Sequence, residues 1–202
     1  GMGAYSPAPV VTPAVEARIA REVIEPTLAG LEAEGMPYTG FLYAGLMIAA
    51  DGAPRVLEFN ARLGDPETQP ILMRLDSDLL ELLEAAVDGD PGAAPVRWRT
   101  DAAVGVVMAA SGYPGAVRKG DVIRGLDADF GARAKVFHAG TALRGNEIVT
   151  NGGRVLCVCG LGGNTRAAQR EAYAAVAKIA WDGAHYRRDI GWRAIEREEH
   201  RA

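Results

Sequence analysis

The sequence is poor in the residues that build many kinds of functional site. Of its 202 residues, two are cysteine, three are histidine and 6% are aromatic. Two cysteines are too few for a disulfide framework, and no Ser-His-Asp or Cys-His set stands in a context that supports nucleophilic catalysis. Because Cys157 and Cys159 lie two apart in a predicted strand, we interpret them as reduced core thiols of a cytoplasmic protein.

Long apolar runs and an excess of positive charge are also missing. The longest apolar run, residues 40–50, is shorter than the roughly 20 residues that span a bilayer. The formal net charge of −4 offers no basic surplus for nucleic-acid binding. We therefore expect neither a membrane nor a nucleic acid as a partner. With 49% apolar and 24% charged residues, the composition is that of an ordinary globular protein.

The first half of the sequence predicts helices around one hairpin of strands. Apolar residues at helical spacing predict a helix over 13–25 that Pro26 interrupts, followed by a helical stretch that stops at Gly35. Asp51-Gly52 is a hairpin turn signal, so we expect antiparallel strands on either side of it. The other predicted segments are a loop over 1–12, strands over 40–50 and 54–60, a helix over 66–74, and a helix that begins near residue 76 or 77 and ends before Gly89.

The second half predicts an α+β module with mostly antiparallel strands and a covering helix. Asn164 is predicted to cap a helix that ends near residue 179, and a short terminal helix is predicted over 190–199. Small residues, glycine and proline predict a boundary near Pro95, which divides the chain into domains 1–95 and 96–202. The predicted strands lie at 102–110, 121–126, 135–139, 147–150 and 154–160.

The run of residues 58–70, EFNARLGDPETQP, combines acids, an amide and a guanidinium beside a predicted strand. Alternate side chains of a strand share a face, so Glu58, Asn60 and Arg62 are predicted to point the same way. A carboxylate and an amide oxygen suit Mg²⁺ held together with nucleotide phosphates, and a guanidinium can stabilise anionic oxygens there. The pattern predicts ATP-driven phosphoryl transfer. The same alternation predicts that Val56 shares the face of Glu58 and Asn60, which we call the polar face. It assigns Leu57, Phe59 and Ala61 to the core.

Two alternatives stay open on the residues alone. Charged residues at alternate strand positions are also typical of the solvated face of a half-buried sheet. The segment Asp65-Pro66-Glu67 also fits the start of a helix, with an N-cap, a proline at the first position and an acid in the first turn.

Six runs in collinear order carry a resemblance to one enzyme family: residues 1–9, 38–47, 58–70, 137–141, 150–158 and 186–194. Together they closely resemble the phosphoribosylamine–glycine ligases, also called glycinamide ribonucleotide synthetases. The resemblance implies an α+β fold, with the second half of an ATP-grasp domain followed by a small α+β domain. It also implies ligation of glycine to 5-phosphoribosylamine in purine synthesis, in which ATP is converted to ADP and phosphate through a glycyl phosphate.

This resemblance implies roles for the polar strand residues. Glu58 and Asn60 would be ligands of the Mg²⁺ or Mn²⁺ that bridges the ATP phosphates. Arg62 would be catalytic, stabilising the transferring phosphoryl group and the acyl phosphate. Many ATP-grasp relatives place a further acidic ligand on the preceding strand, but residues 40–50 contain no acid.

The resemblance also implies residues that bind substrate. Asp65 and Glu67 are assigned to the amine-bearing substrates, with helix capping as the alternative. The opening loop, with Gly1 and Gly3 allowing close backbone approach, is assigned to the substrate or its phosphate through backbone N–H groups. A plain turn before a helix is the alternative for this loop.

The expected partners are small molecules: glycine, 5-phosphoribosylamine and ATP, with Mg²⁺ or Mn²⁺ as the metal. We expect a cytoplasmic monomer. The family's glycine-rich loop, phosphate-binding lysines and adenine pocket have no match in these residues, so we expect a fragment without turnover by itself. The alternatives are another ATP-grasp carboxylate–amine ligase, or a fragment that only binds.

Overall fold

The computed structural model of the chain describes residues 1–90 and 92–200. Helices and strands group into two compact units: the first contains residues 1–7, 65–74 and 99–199, and the second contains 8–64 and 75–98. Helices and antiparallel sheets occur in both units, which confirms the predicted α+β class. In the described part of the chain, no helix is long and apolar enough to cross a membrane.

The first unit contains six strands in two sheets. They are β1 (Gly3–Ser6), β4 (Ala102–Ala109), β5 (Ala134–His138), β6 (Thr141–Arg144), β7 (Glu147–Thr150) and β8 (Arg154–Gly162). Four of them form an antiparallel sheet in the order β1-β4-β8-β5, while β6 pairs with β7. Every residue of the central strand β4 is buried, so both faces of the larger sheet are covered.

Helices pack on both faces of the larger sheet. The helix α5 (Thr165–Val176) covers the face that carries Val106, where most of the buried apolar residues lie. The helix α3 (Thr68–Arg74) packs against the sheet as well, and its Met73 joins a smaller cluster around Val107. A short helix, α6 (Trp192–Glu199), ends the described part of this unit.

The two cysteines belong to the smaller cluster. Cys157 and Cys159 are buried free thiols, as predicted, with their Sγ atoms 3.8 Å apart. Hydrogen bonding to Cys157 and burial raise the pKa of Cys159, so this thiol stays protonated.

The close approach of α5 to the sheet depends on Gly160. A Cβ atom at this position would overlap the backbone atoms Ala172 N and Ala168 O of α5. Backbone atoms of a helix cannot rotate away as a flexible side chain can, so the helix itself would have to move.

We expect Gly160→Ala to lower the free energy of unfolding by about 1–3 kcal/mol, because α5 must shift away from β8. Urea denaturation followed by circular dichroism measures this change. Gly163→Ala is the matched control, because a Cβ atom there has no neighbour within 4 Å. Equal destabilisation by the two substitutions would contradict the packing argument.

The second unit contains helices and one hairpin. A helix α1 (Pro13–Ile19) continues through a π-helical segment (Ala20–Ile24) into α2 (Glu25–Ala33), and α4 (Leu79–Val87) follows later. The hairpin pairs β2 (Tyr43–Ile48) with β3 (Pro54–Asn60) in antiparallel register, as the Asp51-Gly52 turn signal predicts.

Capping residues fix several helix ends in both units. The side chains of Thr12, Asp78 and Asn164 accept hydrogen bonds from the backbone N–H groups of Val15, Leu80 and Ala167. Gly35 and Gly89 have φ values of 74° and 76° after α2 and α4. Each helix closes with the paired backbone hydrogen bonds of a Schellman motif. The predicted stops at these glycines are confirmed.

Two predicted segments are wrong and one is altered. Residues 1–12 are not all loop, because β1 pairs with β4. Residues 121–126 are not a strand, since Val122 and Arg124 form only isolated bridges. The interruption predicted at Pro26 takes the form of the preceding π-helical segment, and the helix continues beyond it.

Candidate active site

Glu58 and Asn60 lie on one face of the hairpin, as strand alternation predicts. Their partners across the ladder are Gly45 and Tyr43, which are two residues apart on β2 and share a face. A Cβ atom at Gly45 would lie 3.0 Å from Glu58 Cγ. The glycine therefore leaves room for the Glu58 stem to lie across the neighbouring strand.

A β-bulge changes which residues accompany Glu58. The adjacent residues Gly45 and Leu46 pair with Glu58 and Val56, so Leu57 is an extra residue in β3. Because adjacent residues of β2 face opposite ways, Val56 lies on the face opposite Glu58, and the prediction that they share a face is wrong.

The bulge brings Arg55 to the polar face instead. Arg55 pairs with Met47, which lies on the same side of β2 as Gly45. This second guanidinium was missed by the sequence analysis, because simple alternation assigns Arg55 to the other face. The register places it in line with Glu58 and Asn60.

The residues of β3 predicted to be core positions are exposed in the described chain. Leu57 is 67% exposed and Phe59 is 41% exposed, and Ala61 is exposed beyond the strand end. The prediction that Leu57, Phe59 and Ala61 are core residues is therefore wrong for the described part of the chain. Alternation predicts which way a side chain faces, whereas burial needs a layer on that face, and a two-stranded hairpin supplies little of one by itself.

Arg62 follows β3 rather than belonging to it, because the strand ends at Asn60. Its Nη1 atom donates to the carbonyl of Leu63 at 2.8 Å, and its Nη2 atom lies 3.5 Å from Asn60 Oδ1. The guanidinium and the amide are therefore neighbours, although the chain turn rather than the strand pleat brings them together.

Glu58 and Asn60 supply two hard oxygen ligands. Within residues 1–90 and 92–200, the Glu58 carboxylate forms no hydrogen bond or ion pair. No group of three or more His, Cys, Asp or Glu side chains that could hold a metal occurs in the same residues. The pair therefore fits an Mg²⁺ ion that takes its other ligands from substrate phosphates and water, and does not fit an all-protein cage.

Asp65 is held by a residue that the sequence analysis did not single out. Arg154, the first residue of β8, donates from Nη2 to Asp65 Oδ2 and from Nη1 to the Asp65 carbonyl, both at 2.8 Å. The same Nη1 atom lies 3.5 Å from the carbonyl of Gly1. Arg154 thus contacts both Asp65 and Gly1, which are predicted to bind substrate. No local sequence signal could reveal this contact, because Arg154 and Asp65 are 89 residues apart in the sequence.

The other predicted substrate residues have different surroundings. Gly3 lies in β1, where a Cβ atom would overlap Gly105 O and the Ile190 side chain, so its glycine is needed for packing. Because α3 begins at Thr68, Asp65 is not its N-cap. Glu67 is half-buried, and its side chain makes no hydrogen bond or ion pair in the described part of the chain.

The predicted site residues divide between the two compact units at the Gly64–Asp65 bond. The second unit holds Glu58, Asn60 and Arg62, and the first unit holds Gly1, Gly3, Asp65 and Glu67.

We expect a double-mutant cycle of Arg154→Ala and Asp65→Ala to give a coupling energy of about 1 kcal/mol in unfolding measurements, because the pair is partly exposed. Their side chains are 26% and 48% exposed. A cycle of Arg144→Ala and Glu147→Ala is the control, since that pair is longer, at 3.4 Å, and 57% and 54% exposed. Coupling no larger than in this control would show that Arg154 does not hold Asp65.

Comparison with known proteins places the chain in a family. Two family models match it: "Phosphoribosylglycinamide synthetase, ATP-grasp (A) domain" over residues 1–68, and "Phosphoribosylglycinamide synthetase, C domain" over residues 103–193. The chain belongs to the phosphoribosylglycinamide synthetase family. The family expected from the resemblance is confirmed. The domain limits 1–95 and 96–202 stay a prediction.

Curated relatives support this assignment over nearly the whole chain. The phosphoribosylamine–glycine ligase of Allochromatium vinosum is 64% identical over 198 residues, and that of Xanthomonas axonopodis pv. citri is 61% identical over 199 residues. Each alignment covers 98% of the chain and 46% of the relative. The chain therefore spans about half the length of the curated relatives it matches.

Solved structures agree with the phosphoribosylglycinamide synthetase assignment. The crystal structure of phosphoribosylamine–glycine ligase from Thermotoga maritima has a TM-score of 0.80 at 40% identity, covering 94% of the chain and 46% of that structure. The biotin carboxylase domain of Hydrogenobacter thermophilus 2-oxoglutarate carboxylase has a TM-score of 0.60 at 14% identity, over 92% of the chain and 40% of that structure. The second likeness shows the fold alone. Together they confirm the ATP-grasp fold.

Proposed function

We propose that the protein to which these residues belong ligates glycine to 5-phosphoribosylamine in purine synthesis, converting ATP to ADP and phosphate. The observation that carries the proposal is the register that sets Glu58 and Asn60 on one face, with the Arg62 guanidinium beside Asn60. The names of the curated relatives supply the substrates.

Glu58 and Asn60 are proposed as ligands of Mg²⁺ or Mn²⁺. An ion held by these two side chains would neutralise the negative charge of the ATP phosphates. The carboxylate of Glu58 is exposed and unpaired within the described residues, so it can take a metal ligand role without breaking an existing ion pair.

Arg62 is proposed as the catalytic residue. In the first step, a glycine carboxylate oxygen attacks the γ-phosphorus of ATP, and ADP leaves. In the second step, the amine of phosphoribosylamine attacks the carbonyl carbon of the glycyl phosphate, phosphate leaves, and the attacking nitrogen loses one proton as the amide forms. Both steps gather negative charge on phosphoryl oxygens, which a guanidinium fork stabilises through two N–H groups.

Asp65 and Glu67 are proposed to bind the amine-bearing substrates, and Gly1 and Gly3 to bring backbone N–H groups to substrate. Arg154 uses Asp65 Oδ2, whereas Oδ1 has only a long 3.5 Å contact with Gln69. That oxygen is free to accept a hydrogen bond from an ammonium or amine group. Arg154 would then hold the Asp65 carboxylate in position.

We also propose that the 202-residue chain alone does not catalyse the ligase reaction. The relatives named phosphoribosylamine–glycine ligase are about twice as long as the matched region. A cytoplasmic, monomeric enzyme is the accompanying proposal. ADP release from the 202-residue chain, stimulated by glycine and phosphoribosylamine, would overturn the proposed inactivity.

The decisive experiment is a substrate panel with the polypeptide that the complete gene encodes. We expect ADP formation to require glycine and phosphoribosylamine together, and the product to be glycinamide ribonucleotide by mass spectrometry. Turnover with a different acid or amine, and none with this pair, would assign another ATP-grasp carboxylate–amine ligase instead.

A further inference from the structure

Two separate pieces of the chain, residues 1–7 and 65–74, belong to the first unit, whose main stretch is 99–199. The first piece contains β1 and the second contains α3. Because residues 8–64 and 75–98 belong to the second unit, contacts rather than short loops hold the two pieces in place. These pieces carry the residues proposed to bind substrate: Gly1, Gly3, Asp65 and Glu67.

The two pieces lie side by side and are in contact at both ends. At one end, a Cβ atom added to Gly1 would lie 3.0 Å from Pro66 Cδ. Arg154 contacts both pieces there, through Gly1 and through the residue before Pro66. At the other end, Arg74, the last residue of α3, donates from Nη1 to the hydroxyl of Ser6, the last residue of β1, at 2.8 Å. An arginine therefore fastens each end of the pair.

The Arg74 guanidinium also joins the two pieces to the main stretch of the unit. Its Nε atom donates to the carbonyl of Asp101 at 2.8 Å, and its Nη2 atom donates to the carbonyl of Arg99 at 3.3 Å. The backbone N–H of Arg99 in turn donates to the Arg74 carbonyl at 2.8 Å. Three nitrogens of one planar group thus connect α3 with β1 and with the segment that leads into β4.

The surroundings of Arg74 make these contacts hard to replace. The side chain is half-buried, and burial lowers the pKa of Arg74, although a guanidinium stays charged. A desolvated charge is costly unless its N–H groups are bonded, so the three acceptors stabilise the position of the side chain. A lysine ammonium is a single point of charge and cannot reach three acceptors in the directions of a guanidinium fork.

We propose that Arg74 is a positioning residue for substrate binding, because it holds β1 against α3 at the end opposite Arg154. The inference rests on the proposed function, which assigns residues of these two pieces to substrate. Arg74 acts through β1 and α3 and is not proposed to touch substrate. Its loss would let β1 shift relative to α3, and a displacement of about 1 Å in a binding group can cost about 100-fold in rate.

Steady-state kinetics of the complete protein separate positioning from a general loss of stability. We expect Arg74→Gln to raise KM for phosphoribosylamine and for glycine about 10-fold, which is the lower end of the effect of residues that hold metal ligands in place. The value of kcat should stay nearly unchanged, because substrate binding is what the substitution weakens. A merely structural role would instead lower the folded fraction, and with it the apparent kcat, at unchanged KM.

Two variants of arginines make this result specific. Arg74→Lys should restore little of the KM, since one ammonium replaces three donors. Arg144→Gln is the matched control, because Arg144 also donates to a backbone carbonyl of the first unit, that of Gly120 at 3.1 Å. Its other partner in the described residues is Glu147, so its contacts lie away from β1 and α3. We expect no change in KM.

Replacing Ser6 tests the contact between the two pieces directly. Ser6→Ala should give part of the rise in KM, and Ser6→Thr, which keeps the hydroxyl, should leave KM near its original value. The double variant Ser6→Ala/Arg74→Gln should raise KM no more than Arg74→Gln alone, because both substitutions remove the same contact. Fully additive effects would show that the two side chains act separately, and would contradict the inference.

Hydrogen exchange of the complete protein, measured by mass spectrometry, tests the fastening without requiring turnover. We expect Arg74→Gln to speed exchange in β1 and in residues 99–102, and to leave α5, on the opposite face of the sheet, unchanged. Faster exchange throughout the first unit together with a lower kcat would show that Arg74 only stabilises the fold. Behaviour equal to that of Arg144→Gln in either measurement would overturn the inference. Absence of ligase activity in the unsubstituted protein would instead refute the proposed function, while exchange in β1 would still test the contact of Arg74.

Discussion

Replacing Glu58 with glutamine is expected to lower the rate of glycine-dependent ADP formation by at least about 100-fold in the complete protein. The substitution keeps the shape of the side chain but removes the charge that holds the divalent ion. Loss of residues that only orient metal ligands typically costs 10- to 100-fold, so loss of a ligand should cost at least as much. The rate should recover partly at high Mg²⁺ concentration, because metal affinity is what the substitution weakens.

Two further variants make this result specific. Glu32→Gln removes an exposed carboxylate from α2 in the same unit, and we expect no change in rate or in Mg²⁺ requirement. Asn60→Asp adds a negative charge next to the metal and should lower the Mg²⁺ concentration that the reaction requires. Glu58→Gln should raise that concentration. An unchanged Mg²⁺ requirement in both Glu58→Gln and Asn60→Asp would contradict the proposal that Glu58 and Asn60 are metal ligands.

Replacing Arg62 with alanine is expected to lower kcat by about 10²–10³-fold and to change KM for ATP much less. The reason is that the proposed contact strengthens as charge develops on the transferring phosphoryl group, whereas ground-state binding of ATP depends on many other groups. Rapid-quench measurement of glycyl phosphate formation would locate the loss in the first chemical step.

Arg97→Ala is the matched control for Arg62→Ala, because Arg97 is an exposed arginine of the same unit and its side chain forms no ion pair in the described residues. We expect its kcat to equal that of the unsubstituted protein. A rise in KM for ATP with unchanged kcat in Arg62→Ala would assign Arg62 to nucleotide binding and contradict its catalytic role.

Local signals in the sequence predicted the hairpin and the helix ends well. Asp51-Gly52 fixes the turn between β2 and β3, and Gly35 and Gly89 end their helices, because these conformations depend on a few adjacent residues. The common face of Glu58 and Asn60 follows from alternation over a regular stretch that lies beyond the bulge.

Features that depend on distant partners were not predictable in this way. The bulge at Leu57 moved Val56 off the polar face and Arg55 onto it, although nothing in the local sequence marks an extra residue. The strand β1 has only four residues, and its partner β4 lies about half the chain away. The contact between Arg154 and Asp65 needed the folded sheet to bring the residues together.

The most direct test of the account is the position of the metal in the complete protein. Crystals grown with Mn²⁺ and a non-hydrolysable ATP analogue would locate the ion by its anomalous scattering. We expect an ion at direct coordination distance, about 2.1 Å, from both the Glu58 and the Asn60 side-chain oxygens, with the Arg62 guanidinium against the γ-phosphate. An ion bound to the nucleotide but away from Glu58 and Asn60 would contradict it.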